Sequence, residues 1–265
     1  MDMTIAGVTK TYDSARGSKI ALTETSFVIH QSEFVSIVGP SGCGKSTLLM
    51  MMAGLLPVSS GSIRMGDTLI DGPAEGLSVV FQEYGRSLFP WMTVEKNLAM
   101  AAVAYKFPKA ELAERITRAL HSVGLEGSEK LYPWQMSGGM QQRVAIARAV
   151  VAEPKVLLMD EPFAAVDAQT RADLEDLVLR IRDEYKVTIA LVTHDIDESV
   201  YLGDRVLVLG ANPGRVVADI PIDLPSPREQ VETKRLPAFA DLRSDVFQLV
   251  MRPKAPAAAS ETVAP

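Results

Sequence analysis

The chain has 265 residues, 47% of them hydrophobic, enough for one large α/β domain or one domain with an inserted subdomain. Its net charge of −6 argues against a protein that coats nucleic acid, and its single cysteine, Cys43, excludes an internal disulfide. No apolar run approaches the roughly 18–20 residues that span a bilayer, and residues 1–4 lack the basic start of a signal peptide. We therefore expect a cytoplasmic protein that reaches a membrane only through a partner.

Short apolar runs alternate with helical patterns along the chain, which is typical of a layered α/β fold. The first 30 residues and 62–70 predict short antiparallel strands. Near-continuous apolar character predicts strands of a sheet that is covered on both faces. These buried strands are expected at 34–38, 77–81, 156–159, 187–192 and 206–209.

Helical spacing of apolar residues dominates two further stretches. From Val94 to Gly124 the pattern is mainly helical, with one helix started by Pro108 and ended by Gly124. A second helix is expected after Asp167. Residues 251–265 are rich in Ala and Pro without periodicity, and we expect a disordered tail.

A glycine-rich segment follows the predicted strand at 34–38 and fits the phosphate-loop pattern G-x-x-x-x-G-K-[ST] in full. It reads Gly39-Pro40-Ser41-Gly42-Cys43-Gly44-Lys45-Ser46-Thr47. The glycines let backbone N–H groups wrap phosphates, and the following helix points its positive end at them. Lys45 is expected on the β- and γ-phosphates, Ser46 on Mg²⁺ and Thr47 on the α-phosphate. A chance glycine-rich turn is the alternative, and the strand and helix on either side disfavour it.

Two acidic residues end the apolar run at 156–159. Strand ends in parallel sheets face the ligand crevice, so Asp160 is placed to hold Mg²⁺ through water. Glu161, one residue farther, could polarise the attacking water. The phosphate loop and these acids lie much farther apart in sequence than the roughly 30 residues of a simple βαβ unit. We therefore expect an insertion, filled by the helical stretch that begins near Val94.

A third motif opens a predicted helix just before the carboxylate strand. It reads Met136-Ser137-Gly138-Gly139-Met140-Gln141-Gln142-Arg143. Ser137 suits the N-cap, and the glycines leave amide groups open to an anion. The segment resembles the LSGGQ signature of ATP-binding cassette (ABC) ATPases, with Met136 for Leu and Met140 for Gln. Neither substitution removes the serine or the glycine amides that would contact the γ-phosphate.

The other motifs of that family occur in order. Tyr12 stands where the family places an aromatic ring against adenine. Gln82 follows a predicted strand as the Q-loop glutamine does, which implies roles in catalysis and at the metal. Ala165-Val166-Asp167 resembles the D-loop, where Asp167 could also cap a helix, and His194 resembles the switch histidine that reads the γ-phosphate.

The resemblance covers nearly the whole chain and implies an α/β P-loop NTPase core with an N-terminal antiparallel β subdomain and an inserted α-helical subdomain. The expected division is one ATPase domain over 1–250, with the helical insert at about 85–150. ATP and Mg²⁺ are the implied cofactors. The expected partners are a second, head-to-tail copy, two membrane permease subunits and, indirectly, an extracytoplasmic substrate-binding protein. The implied location is peripheral, on the cytoplasmic face of the membrane.

Four segments look like the nitrate/sulfonate/taurine import branch of the family. They are Gln82-Glu83-Tyr84-Gly85-Arg86-Ser87-Leu88-Phe89-Pro90-Trp91, Asp160-Glu161-Pro162-Phe163, the run 192–198, and the stretch from Asp223 to Phe247. Leu88, Phe89 and Trp91 either pack in the core or line a groove for a helix of the membrane partner.

Two rival functions would show different sequence features. A soluble ABC-type ATPase of translation or DNA repair would carry two cassettes or a long coiled-coil insertion. A plain P-loop kinase would lack the Ser137 helix.

Overall fold

The computed structural model describes residues 1–14, 17–82, 87–211 and 213–251. The strands are β1 (Met3–Ser14), β2 (Gly17–Ile29), β3 (Phe34–Val38), β4 (Ser60–Met65), β5 (Thr68–Leu69), β6 (Leu77–Val80), β7 (Val156–Asp160), β8 (Thr188–Val192), β9 (Arg205–Gly210) and β10 (Arg215–Pro221). The α-helices are α1 (Lys45–Met52), α2 (Val94–Ala101), α3 (Lys109–Ser122), α4 (Gly138–Val150), α5 (Ala168–Tyr185), α6 (Ile196–Leu202), α7 (Gln230–Lys234) and α8 (Pro237–Met251).

Two sheets organise the described residues. The N-terminal sheet is antiparallel in the order β2-β1-β4-β5. The larger sheet has the order β10-β9-β3-β8-β7-β6, parallel except for the antiparallel edge strand β10. The carboxyl ends of β3, β8, β7 and β6 therefore lie side by side. This order brings segments that are distant in sequence to one edge of the sheet.

The larger sheet is buried on both faces, as the apolar runs predict. In β3, Phe34 and Val38 belong to the core shared with helices α2 to α6, and Val35 and Ile37 belong to the core shared with α1 and the antiparallel sheet. Each large side chain buried in this way contributes about 1.5–3 kcal/mol. Packing on both faces of β3 therefore fixes the position of the segment that follows Val38.

The helical stretch between β6 and β7 is confirmed in outline. Helices α2, α3 and α4 pack on one another and on the sheet. Gly124, at φ +68°, follows the end of α3 as predicted. The start is one residue off, because Pro108 precedes α3 and Lys109 is its first residue.

Three predictions reach residues outside the described ranges. The beginning of the helical insert and the import-branch segment both include 83–86. The tail predicted for 251–265 lies outside them from 252 onward, while Met251 is the last residue of α8. The division into one domain with an insert at about 85–150 stays a prediction. Among the described helices, none is long and apolar enough to cross a membrane.

Candidate active site

The phosphate loop connects β3 to α1 in the predicted place. Gly44 precedes the helix with φ +97°, a left-handed conformation that strains any residue with a Cβ. Lys45 is buried, and its Nζ donates to the carbonyl oxygens of Gly39 at 2.9 Å and Pro40 at 3.4 Å. The ammonium group therefore already lies inside the loop, where it satisfies its own charge with backbone oxygens.

Cys43 lies beneath this loop. Its side chain is 1% exposed, and a Cβ built on Gly39 would lie 2.9 Å from its Sγ. Burial raises the pKa of the thiol, and the charge of Lys45 only partly opposes this. The cysteine fills space under the loop.

Ser46 and Asp160 form the pair of oxygen donors predicted for Mg²⁺. Ser46 Oγ donates to Asp160 Oδ1 at 3.1 Å, which joins the start of α1 to the end of β7. Burial raises the pKa of Asp160, and neighbouring Glu161 adds to the rise, while Ser46 and Lys45 oppose it. A nearby cation would offset this penalty on the charged carboxylate. Hard oxygen donors, few in number and close to a phosphate site, fit Mg²⁺.

Glu161 lies at the centre of the three converging strand ends. Its Oε2 accepts from Gln82 Nε2 at 3.1 Å and lies 3.1 Å from His194 Nδ1. Gln82 comes just after β6, Glu161 just after β7 and His194 just after β8. Because an ionised carboxylate only accepts hydrogen bonds, the imidazole contact requires the proton on Nδ1. The predicted catalytic trio is thus brought together around one oxygen atom.

The backbone of Glu161 is unusual. Its φ is +44°, in the left-handed region, and its N–H donates to Val192 O at 2.8 Å. A non-glycine residue held there by its neighbours carries strain of about 1–3 kcal/mol, which is common at functional sites. The strained turn lifts the Glu161 side chain out of the line of β7 while Asp160 stays buried.

A cavity of about 340 Å³ opens over the phosphate loop. Its wall includes Tyr12, Ser41, Lys45, Thr47 and Glu161. Tyr12 is 43% exposed, and its hydroxyl lies 3.5 Å from Thr47 Oγ1. Lys10 Nζ lies over the ring, 5.2 Å from its centroid. The partly exposed ring thus lies beside the loop, where an adenine could stack on it. A larger groove, about 1010 Å³, lies along α8 and includes none of the predicted site residues.

Part of this wall is not predicted from the sequence. Lys19 lies opposite Tyr12 in the β1–β2 register, which strand alternation could have revealed. Gly214 closes the other side, and a Cβ there would lie 2.1 Å from Cys43 O and 2.8 Å from Ala21 O. The Pro-Gly pair at 213–214 signals a turn but does not reveal which loop the turn contacts.

The signature segment lies elsewhere on the chain. Ser137 caps α4 by accepting from Met140 N at 3.3 Å, and Ser137 and Gly138 are exposed. Gly139 abuts α5, since a Cβ there would lie 2.7 Å from Thr170 Cγ2. The described residues that line the cavity include none of 137–139. The signature is therefore not brought to the phosphate loop of its own chain.

Asp167 caps α5, as one of its two expected roles requires. Its carboxylate accepts from Thr170 N at 3.0 Å and from Thr170 Oγ1 at 2.7 Å. These hydrogen bonds lower the pKa of Asp167. Since Thr170 also contacts the Gly139 position, the starts of α4 and α5 form one surface.

The three apolar residues near Gln82 divide between the two interpretations. Leu88 is 2% exposed and packs in the core. Trp91 is 70% exposed, with its ring centroid 5.6 Å from that of Phe89. Leu88 therefore belongs to the packing interpretation, while Trp91 is available to a partner.

Comparison with known proteins gives consistent matches. The family model described as "ABC transporter" matches residues 22–164. The aliphatic sulfonates import ATP-binding protein SsuB of Bacillus licheniformis is 44% identical over 248 residues, covering 94% of each chain. The nitrate import ATP-binding protein NrtC of Synechococcus elongatus is 42% identical over 239 residues, which cover 89% of this chain and 36% of that protein.

Solved structures agree with the fold. The dimeric structure of the bacterial ABC transporter cassette MJ0796 is similar with a TM-score of 0.71 and 30% identity, covering 83% of this chain and 98% of that one. A post-hydrolysis dimer of the same cassette, bound to ADP and Pi, matches equally well.

Proposed function

Because the chain belongs to the ABC transporter family, we propose that it is the ATP-hydrolysing subunit of an importer for a small anion or organic solute of the nitrate/sulfonate/taurine type. The observation that carries this proposal is the Glu161 carboxylate, which both Gln82 and His194 contact beside a complete phosphate loop. The importing relatives named above support the direction and the class of solute.

Nucleotide binding starts with the Lys45 ammonium group bonded to the backbone of its own loop. Tyr12 stacks on adenine, and Lys45 exchanges the carbonyl oxygens of Gly39 and Pro40 for the β- and γ-phosphates. Ser46 and Asp160 would hold Mg²⁺, which supplies positive charge to the phosphate oxygens. We also propose Gln82 as a further ligand of the metal. In the structure its side-chain amide donates to Glu161.

Hydrolysis uses the strand-end carboxylate. A water oxygen attacks the γ-phosphorus, the bond from that phosphorus to the ADP oxygen breaks, and Glu161 accepts the water proton. His194 and Gln82 hold the carboxylate oriented, and His194 also contacts the γ-phosphate. A positioned acid/base group of this kind contributes about 10²–10⁴-fold to the rate.

The second copy completes the site. In a head-to-tail dimer, Ser137–Gly139 of one chain cover the ATP on Lys45 of the other, with Asp167 at the same interface. The exposed start of α4 and the dimeric cassette relative support this arrangement. Two membrane permease subunits dock near Trp91, on the cytoplasmic face, and an extracytoplasmic substrate-binding protein acts through them. Because the net charge is −6, we do not include nucleic acid among the proposed partners.

The experiment that tests the composite site measures dimerisation. In a Glu161→Gln background, which slows turnover at least ~10²-fold, light scattering should show an ATP-dependent dimer. Adding Ser137→Arg should abolish that dimer, because the side chain occupies the space of the γ-phosphate, while ATP binding by the monomer persists.

The matched control is Ser244→Arg, which places the same side chain on the exposed surface of α8 and should leave the dimer intact. A Ser137→Arg protein that dimerises as well as its parent would disprove the two-chain site. A Glu161→Gln enzyme with parental turnover would remove Glu161 from the mechanism.

A further inference from the structure

The residues on both sides of His194 are anchored by a buried network. Thr193 is 1% exposed, and its Oγ1 donates to Glu198 Oε2 at 2.6 Å while accepting from Asp195 N at 3.0 Å. The Asp195 carboxylate caps α6 by accepting from Glu198 N at 3.2 Å. Hydrogen bonds therefore tie the loop that carries His194 to the first turn of α6.

Arg171 joins this loop to α5. Its Nη1 donates to Asp195 Oδ2 at 3.2 Å, and its Nε lies 3.7 Å from Glu198 Oε1. Glu198 is 4% exposed, so Arg171 faces a carboxylate that is almost fully removed from water. One guanidinium group thus contacts both acids that hold the His194 loop. A planar guanidinium group fixes the relative positions of the two acids better than a flexible ammonium group would.

Arg171 also lies one turn from Asp167. Its N–H donates to Asp167 O at 2.9 Å, so the two residues share the first turn of α5. Asp167 and the adjoining Gly139 surface are the parts of the chain proposed to meet the second copy. A chain of direct contacts consequently runs from that surface to Arg171, from Arg171 to Asp195 and Glu198, and from Glu198 to Thr193. Thr193 and Asp195 are the two chain neighbours of His194.

We propose that Arg171 and Glu198 are positioning residues for His194, coupling the Asp167 surface to the orientation of the imidazole against Glu161. This inference rests on the proposed function of His194 in hydrolysis. Neither residue touches nucleotide. Closure of the second copy onto α5 acts on Arg171, and Arg171 holds the histidine in the orientation that it has against Glu161.

The first test separates kcat from KM. Arg171→Ala should lower the kcat of ATP hydrolysis about tenfold or more while the KM for ATP changes less than about twofold, because the phosphate loop is untouched and only the alignment is lost. Arg171→Lys should recover part of the rate. The control is Arg182→Ala on the same helix, which removes a more deeply buried arginine whose partners are Asp183 and Asp204. It should keep the parental kcat.

A double-mutant cycle then asks whether Arg171 acts through the histidine. In a His194→Ala background, Arg171→Ala should cause no further loss in the rate constant of ATP hydrolysis, measured in single turnover. An equal loss in both backgrounds would overturn the inference, as would a parental kcat for Arg171→Ala beside a defective His194→Ala enzyme. A fully active His194→Ala enzyme would instead contradict the proposed function, and this inference with it.

A spectroscopic readout covers the case in which residual rates are too small to compare. The chain has three histidines, so ring signals of His30 and His121 serve as internal references for His194. Arg171→Lys and Glu198→Gln should each shift the His194 ring signals in NMR and leave the other two in place. Unchanged His194 signals in both variants would overturn the inference.

Discussion

Glu198 should make the stability of the protein fall as the pH rises. Burial raises the pKa of this carboxyl from its ordinary 4.5 to about 7, with Asp195 and Glu175 adding to the rise, while Thr193 and Arg171 oppose it. Between these two values the folded protein binds a proton that the unfolded chain releases. The contribution to stability is therefore fully present below pH 4.5 and is lost as the pH rises through 7.

The size of the loss follows from the shift. At 1.36 kcal/mol per pKa unit, the change from 4.5 to about 7 corresponds to about 3 kcal/mol. Glu198→Gln replaces the carboxyl with a neutral group of the same shape that does not titrate. The variant should therefore gain about 3 kcal/mol relative to the parent between pH 4.5 and pH 8.

Urea unfolding of both proteins at several pH values between 4.5 and 8, without nucleotide, measures this difference. Glu232→Gln is the matched control, since Glu232 on α7 has a 70% exposed side chain, and it should leave the parental pH profile unchanged. A constant difference between Glu198→Gln and the parent across the range would refute the reasoning. It would mean that Arg171 and Thr193 fully compensate the buried charge.

The remaining predictions concern the phosphate loop. Lys45→Ala should abolish ATPase activity by weakening nucleotide binding itself, and fluorescent-ATP titration showing undiminished affinity would count against the assignment. Gly214→Ala should weaken ATP binding and destabilise the fold by about 1–3 kcal/mol, because its Cβ meets Cys43 O at 2.1 Å. Gly72→Ala, where a Cβ meets nothing within 4 Å, is the control; equal unfolding free energies for the two alanine variants would exclude the clash.

The phosphate loop and the strand-end acids could be predicted because their information is local. A buried strand, a glycine-rich turn and a helix start are each written in a few adjacent residues, and the structure has them in that order from Phe34 to Met52. Asp160 and Glu161 follow the same rule at the end of β7. The strand order then places the acids beside the loop.

The other wall of the cavity and the network behind His194 could not be predicted, because both depend on contacts distant in sequence. Gly214 meets Cys43 and Ala21 only after β9 and β10 have joined the sheet. Arg171 and Glu198 look like ordinary helix-surface charges until α5 and α6 pack together. The left-handed backbone of Glu161 likewise follows from its bond to Val192 on the neighbouring strand and not from its residue type.

The buried thiol of Cys43 beneath the phosphate loop provides a chemical probe of loop opening. A maleimide reagent needs both access and a thiolate, and Cys43 offers little of either while Gly39 covers it. The rate at which maleimide labels Cys43 therefore depends on how often the loop opens. Because the chain has one cysteine, no other site needs to be removed. A bound nucleotide that holds the loop closed should slow the reaction, which would report occupancy without any fluorophore on the nucleotide.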